Sequence, residues 1–551
     1  MTPKALTKSI NNVSATIAMV AASLTLAIQP NQADAQHRPN VVVIVADDLG
    51  YGDVKCFGQS RCQIETPSFD RIAQQGVRFS NAYSIASVCI PSRVSMMTGR
   101  YAFRFSGAQR GGPWGFVGLQ FSPEQPTIAS VLKDQGYSTG YVGKWHLGTT
   151  MTTVNEMVQD INTVDYTKPL VVGPRDFGFQ DSFILPGSLD MYPYAFIRNH
   201  HWVGDVSTVK GWSAFARMGP ADHDFRDKDV LNTIADESIK FIEKQNQKPY
   251  FLFVGLTAPH TPLSPSDEFL GRSKIGVYGD FVMNTDAIIG RITRAIDQTT
   301  NRDNTLVIVT SDHGPASYAG PRRRATASQM KELEKQGHYA AGGFRGYKFS
   351  SYEGAFRVPL IARWPAKLTA GSKSNQIIGL VDLFATITEL ANGEPLPKTP
   401  SADSFNFLSS LIGKSNKQQR DSIFLQGSRG NAYRSGPWKL MLCPGSGAPG
   451  HWGNAPPSDE AWQEALQTYG KAPLSREELQ QYPFLQLYNL DTDPTESTNL
   501  AKTNPEQVKQ LINEVRNLIT SGHSHPDAAI DADAKQIPLF RYIPRSIKLQ
   551  N

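Results

Sequence analysis

Asn40-Val41-Val42-Val43-Ile44-Val45-Ala46-Asp47-Asp48 is the stretch whose pattern decides the fold. Residues 41–45 are all β-branched and leave no polar face, the pattern of a strand buried on both sides of a parallel sheet. Two acids follow at once. Leu306-Val307-Ile308-Val309 repeats the pattern and runs into Thr310-Ser311-Asp312-His313-Gly314, and an apolar run over 250–254 leads on to Pro259-His260. Further strands are predicted at 139–142 and 358–362. Helices fit between them: Thr66-Pro67 opens one as cap and first-turn proline and Gly76 closes it, while 229–245 and 281–296 carry apolar residues at helical spacing. The alternation predicts an α/β fold with a large, mostly parallel sheet flanked by helices. Ligands of such sheets bind beyond the carboxyl ends of the strands, so Asp47, Asp48, His260, Asp312 and His313 are expected along one edge.

Working outward, the pattern changes near residue 415. Ser422-Ile423-Phe424-Leu425, Trp438-Lys439-Leu440-Met441 and Leu487-Tyr488-Asn489-Leu490 read as short strands among long loops. A helix then opens at Asn504-Pro505, and Val508, Leu511, Ile512, Val515, Leu518 and Ile519 give it one apolar stripe. A large domain over 36–415 and a smaller C-terminal α+β domain over 416–551, an antiparallel sheet with a helix, are expected from a chain of 551 residues. Upstream, Lys4 and Lys8 precede an apolar stretch over 13–28, and Ala33-Asp34-Ala35 offers a small-x-small cleavage site. Residues 1–35 therefore read as a signal peptide of an exported protein, periplasmic or secreted, with no membrane association after cleavage. A membrane anchor is the competing reading, but the stretch is short for a span.

Composition excludes more than it selects. With 40% hydrophobic and 19% charged residues the chain is an ordinary globular protein. A formal net charge of +5 suits anionic substrates but falls far short of a nucleic-acid-binding patch. Four cysteines, Cys56, Cys62, Cys89 and Cys443, are too few for a disulfide scaffold, although Cys56 and Cys62 are close enough for a small loop disulfide. Asp47, Asp48 and Asp312, all just beyond apolar strands, suggest a hard cation held by carboxylate oxygens. Any one of them alone would more often be a cap or a turn residue.

Cys89-Ile90-Pro91-Ser92-Arg93, followed by Met97-Thr98-Gly99-Arg100, carries the most chemistry. Pro91 can preset the first turn of a helix and place residue 89 at its amino end, where free N–H groups and the dipole favour an anion. This segment resembles the signature of type I sulfatases, alkaline-phosphatase-like enzymes in which the Cys is oxidised to formylglycine (3-oxoalanine). Other segments follow the family in order: 40–53 its opening strand and D-D-x-G-Y-G-D turn, Gly143-Lys144-Trp145-His146-Leu147-Gly148 its G-K-W-H-L-G, and Ala258-Pro259-His260-Thr261-Pro262 its second histidine loop. Arg345-Gly346-Tyr347-Lys348 with Glu353-Gly354 and Arg357-Val358-Pro359 resembles the R-G-x-K…E-G-x-R-V-P stretch, and 487–500 resembles the family's C-terminal L-Y-D-L run. The resemblance spans roughly residues 40–520.

The resemblance implies a sulfuric ester hydrolase. Asp47, Asp48, Asp312 and His313 would hold Ca2+ together with an oxygen of residue 89, with His313 the odd member because nitrogen suits calcium poorly. Arg93, Lys144 and Lys348 would offset negative charge, Asp312 would take a proton from the nucleophile, His260 would protonate the leaving alcohol, and His146 would act as base in expelling sulfate. A formylglycine-generating maturation enzyme is an implied partner. The substrate is expected to be a sulfated carbohydrate, an oligo- or polysaccharide, met by segments between the motifs: 104–116, the stretch 190–202 with Asp190, Tyr192, Tyr194, Arg198, His200, His201 and Trp202, and an insertion at 317–341 with Arg322, Arg323, Arg324 and His338, whose charges read equally as a solvated face or as a surface for further sulfates or carboxylates. Two alternatives stay open: a formylglycine-dependent phosphodiesterase or phosphonate hydrolase of the same superfamily, and a non-catalytic carbohydrate-binding relative.

Overall fold

In the computed structural model the described residues are 38–105, 112–211, 217–245, 248–320, 329–392, 403–415, 417–450, 457–471, 473–525 and 537–550. The proposed signal peptide and Arg322–Arg324 lie outside them. The apolar runs form the centre of a ten-stranded sheet. In chain order its strands are β1 (Asn40–Asp47), β2 (Val77–Phe79), β3 (Ser138–Lys144), β4 (Asp181–Leu185), β5 (Ile197–Arg198), β6 (His201–Trp202), β7 (Tyr250–Pro259), β8 (Thr305–Ser311), β9 (Leu360–Arg363) and β10 (Ser372–Ser374). Their spatial order is β10-β2-β9-β8-β1-β7-β3-β4-β5-β6. From β8 to β4 all pairings are parallel, with Val43 of β1 level with Ile308 on one side and Phe253 on the other. Away from that centre β9 pairs antiparallel with both β8 and β2, β5 antiparallel with β4, and β6 antiparallel with β5, so the sheet is mixed as a whole.

Why residues 41–46 of β1 are all apolar is plain from their packing. Val42, Ile44 and Ala46 enter one core with Ile234 and Ile289, whereas Val41, Val43 and Val45 enter the opposite core with Met97, Leu383 and Phe384. Each buried Val or Ile contributes about 1.5–3 kcal/mol. Helices α1 (Pro67–Gln74), α3 (Val230–Glu243) and α4 (Val277–Asp297) bury residues in the first core, and α2 (Cys89–Thr98) in the second. Each of the three helices expected at 67–76, 229–245 and 281–296 is present with shifted ends.

The C-terminal sheet is β11 (Ser422–Gln426), β12 (Asn431–Ser435), β13 (Trp438–Leu442) and β14 (Gln486–Asn489), antiparallel throughout, with α5 (Pro505–Thr520) beside it. Helix α5 buries the six apolar residues of the expected stripe. Strand β12 carries no apolar signal: its Arg434 is buried against the Tyr83 hydroxyl instead of facing solvent. Lys439 of β13 reaches into the main body, 3.0 Å from Glu353 Oε1 and 2.8 Å from Glu496 Oε1, with all three side chains buried. Cys56 and Cys62 are free thiols, so the loop disulfide is not formed. Among the described residues, no helix is long and apolar enough to cross a membrane.

Candidate active site

Four parallel strands, β8, β1, β7 and β3, stand side by side, and each ends in a residue type that can do chemistry. Asp47 closes β1 and Asp48 follows it, Lys144 closes β3, His260 follows β7, and Asp312 and His313 follow β8. Against this edge comes the amino end of α2. Val88 is extended, at φ −144° and ψ 143°, and the helix starts at Cys89 as the proline spacing predicts. Gly99 closes it in the left-handed region, at φ 67°.

The expected site residues converge. Cys89 Sγ lies 3.2 Å from His313 Nε2, 3.6 Å from Lys348 Nζ and 3.7 Å from Asp47 Oδ1. Lys144 Nζ pairs with Asp47 Oδ2 at 2.7 Å, and Lys348 Nζ grips both oxygens of Asp48, at 2.7 and 3.0 Å. Arg93 Nε donates to Asp312 Oδ2 at 3.1 Å and its Nη1 to the Lys144 carbonyl at 3.1 Å, while the buried Nη2 has no hydrogen-bond partner among the described residues. His260 Nδ1 meets the Thr261 carbonyl at 2.7 Å and His313 Nδ1 the Gly314 carbonyl at 2.9 Å; a carbonyl only accepts, so each Nδ1 carries a proton and turns Nε2 into the site. His146, also buried, leaves Nδ1 without a partner among the described residues.

Burial sets the electrostatics. It pushes the Cys89 thiol up, yet Lys144 and Lys348 outweigh it and bring the thiol down to about 6. The thiol at 89 is thus favoured as its anion. Asp47 and Asp48 feel the same burial, but Lys144 and Lys348 respectively hold them below the usual carboxylate range. Asp312 is pushed up to about 6 by burial, with His313 opposing and Asp47 adding. Burial lowers His313, but Asp312, Cys89 and Asp48 raise it to about 9. Burial and the Lys144 and Arg93 charges hold His146 well below its ordinary value, so it is neutral.

A hard divalent cation fits this donor set. One ligand atom from each of Asp47, Cys89, Asp312 and His313 lies within 4.8 Å of the others, as does one from each of Asp47, Asp48, Cys89 and His260. Asp47, Asp48 and Asp312 are fully buried and offer the carboxylate oxygens that a hard cation takes as ligands. Two buried polar atoms, the donor Arg93 Nη2 and the ring nitrogen His146 Nδ1, have no hydrogen-bond partner among the described residues, and their burial costs free energy until a ligand meets them.

Residues between the motifs divide sharply. Asp190 belongs to the site: its Oδ1 is 3.8 Å from His260 Nδ1 and its Oδ2 takes a 2.6 Å hydrogen bond from Arg217, whose guanidinium lies 3.4 Å from the Trp114 ring centre. Arg104 does not, being locked on Asp403 at 2.6 and 2.7 Å with its side chain buried. Arg198 pairs with Glu237, Trp202 packs on Tyr166, and His338 is buried on Asp53. Ser188, whose hydroxyl donates to Asp47 Oδ2 at 3.3 Å, has no signal in the sequence.

Residues 39–393 match the Sulfatase family model. The chain is 31% identical over 522 residues to an N-acetylgalactosamine-6-O-sulfatase of Bacteroides thetaiotaomicron, covering 88% of this chain and 94% of that protein. Human steryl-sulfatase is 28% identical over 444 residues, with 71% and 73% covered. A solved structure from B. thetaiotaomicron, described with the metabolism of multiple glycosaminoglycans, superposes with a TM-score of 0.73 at 29% identity, covering 88% of this chain and 99% of that one. A protein solved in complex with k-i-k-neocarrahexaose shares the fold, with a TM-score of 0.62 at 22% identity over 90% and 95% of the two chains.

Proposed function

The chain belongs to the sulfatase family and hydrolyses sulfate esters, and from that premise we propose that it desulfates a glycan through a formylglycine made from Cys89, with calcium beside it. One observation carries the reading: the side chain at 89 sits at a helix amino end, ringed by Lys348, His313 and Asp47 within 3.2–3.7 Å, where negative charge is favoured. Asp47, Asp48 and Asp312 would hold the calcium, together with an oxygen of residue 89 and with His313 at the margin of the set. Bound there, calcium would supply positive charge to a sulfate ester, and hydrated formylglycine would supply two hydroxyls on one carbon, one as nucleophile and one for sulfate release.

The remaining work falls to the chain's own residues. Arg93 Nη2, 3.9 Å from Asp47 Oδ1 and without a hydrogen-bond partner among the described residues, is placed to donate to a sulfate oxygen, and Lys144 and Lys348 offset the charge that grows on nucleophile and sulfate. Asp312 accepts the proton of the attacking hydroxyl. His260, its Nδ1 proton held by the Thr261 carbonyl, directs Nε2 to the leaving oxygen and donates a proton there. His146, neutral and unpartnered at Nδ1, takes the proton that releases sulfate. The likeness to an N-acetylgalactosamine-6-O-sulfatase makes a 6-O-sulfated amino sugar the first substrate to assay. Export by the N-terminal segment and oxidation of Cys89 by a maturation enzyme belong to the same proposal.

Peptide mass spectrometry across Cys89, on protein from a host with the maturation system, tests it. An aldehyde or its hydrate at 89, with sulfate released from 6-O-sulfated sugars in preference to phosphate from the matching esters, is expected. An unmodified thiol in protein that still turns over would overturn the nucleophile assignment, and preferred phosphate release would favour the phosphodiesterase alternative.

A further inference from the structure

Asp48 has φ 64°, a left-handed backbone that costs a non-glycine residue about 1 kcal/mol or more and persists only where its surroundings impose it. On one side the imposing contacts come from the end of β8 and the residue after it: Asp48 N–H donates to Asp312 Oδ1 at 3.2 Å and Leu49 N–H to Ser311 Oγ at 3.0 Å. On the other side is a buried cluster that the proposed mechanism does not use. Asp53 accepts from Gly50 N–H at 2.7 Å, from the Tyr278 hydroxyl at 2.7 Å and from His338 Nε2 at 2.9 Å. Gln63 N–H donates to His338 Nδ1 at 3.3 Å, so Nδ1 is the acceptor and Nε2 carries the proton given to Asp53.

The chain around His338 is laid directly on this turn. Gly52 N–H donates to the Ala340 carbonyl at 2.7 Å. A Cβ on Gly50 would stand 2.1 Å from the Ala340 oxygen, and one on Gly52 would stand 1.9 Å from the Tyr339 oxygen. Ten residues on, the same segment delivers Lys348 to Asp48. The Leu49–Asp53 turn is therefore clamped between β8 and the 338–342 segment.

We infer that Asp53, His338 and Tyr278 are positioning residues for Asp48, holding its carboxylate aimed at the calcium position. The inference rests on the calcium reading above. Direct hydrogen-bond partners of a metal ligand typically change metal affinity 10–100-fold when lost, and Asp53, Tyr278 and His338 act one step further out, through the Leu49–Asp53 backbone, so the low end of that range applies. Tyr278→Phe removes one donor to Asp53 with little change of shape, and His338→Gln keeps a donor of shorter reach. The test is a calcium titration of the melting temperature, on wild type and both variants after metal stripping. The calcium midpoint is expected to rise about tenfold in Tyr278→Phe and less in His338→Gln, while the metal-free melting temperature of Tyr278→Phe stays near wild type. Midpoints equal to wild type in both variants overturn the inference, as does a Tyr278→Phe protein whose only change is a lower metal-free melting temperature. A wild type that gains no stability from calcium overturns the calcium reading and the inference with it.

Discussion

Lys348→Met separates charge at the reacting centre from charge balance beneath it. The ammonium is 3.6 Å from the side-chain atom of residue 89, and two unit charges at that distance interact by about 4–5 kcal/mol at an effective dielectric near 20. Lys144 and Arg93 remain nearby and absorb part of the loss, so the expected fall in kcat is on the order of 10²–10³, the range found for removing one preorganised donor. KM should move less, because the charge grows in the transition state. The same substitution strips Asp48 of contacts at 2.7 and 3.0 Å and leaves a buried carboxylate, which costs about 3–5 kcal/mol in the metal-free protein. Calcium should recover most of that stability but not the rate. The assay is initial sulfate release by ion chromatography at saturating calcium, on protein whose residue 89 has been verified by mass spectrometry, with melting curves in parallel. A kcat within about tenfold of wild type, an effect of only about 1.4 kcal/mol, together with a lowered metal-free melting temperature would reduce Lys348 to a counter-ion for Asp48.

Other expectations follow from neighbouring geometry. Cys89→Ser offers one oxygen where hydrated formylglycine has two, so intact-mass analysis after substrate addition should find one sulfuryl group retained on the protein; steady turnover would contradict the scheme. Lys439→Met leaves Glu496 without its 2.8 Å partner, while Arg357 and Tyr83 still hold Glu353, at 2.7 Å each. The cost should lie near the low end for a broken buried pair, about 3 kcal/mol, and appear in calorimetry as a drop of about 3 °C, with activity at low temperature retained. Burial pushes Glu496 up to about 7, with Lys439 opposing and Glu353 adding, from an ordinary value of 4.5. Between those values the native state keeps a proton that the unfolded chain has lost, so this residue's stabilising contribution is full below the lower value and fades as pH rises to the upper. Melting temperatures of Glu496→Gln measured from pH 5 to 7.5 should show a shallower decline than wild type; parallel curves would refute the assignment.

How far the sequence discloses this molecule depends on where each residue's partners lie. Strands β1, β7 and β8 are legible because both faces are buried and their centres, 41–46, 250–254 and 306–309, are unbroken apolar runs, which also gives away the acids and the histidines beyond them. Strand β12 is hidden because Arg434 finds the Tyr83 hydroxyl, 351 positions away, and a buried arginine looks like a surface one in sequence. Strands β5 and β6, two residues each, are too short to show a period. The site was readable to the extent that its side chains fall inside local motifs. Arg104 and Asp190 mark the limit: both are charged residues in loops between motifs, yet one is a buried clamp on Asp403 and the other stands 3.8 Å from His260. His338 shows the same limit from the opposite direction. Its place in a charged insertion suggested a surface that reads substrate, whereas it lies fully buried against Asp53, 285 positions away, under the turn that shapes Asp48. Residue type announces which chemistry a side chain can perform; whether it faces solvent, substrate or another chain segment is set by pairings at long separation, and those are what the coordinates add.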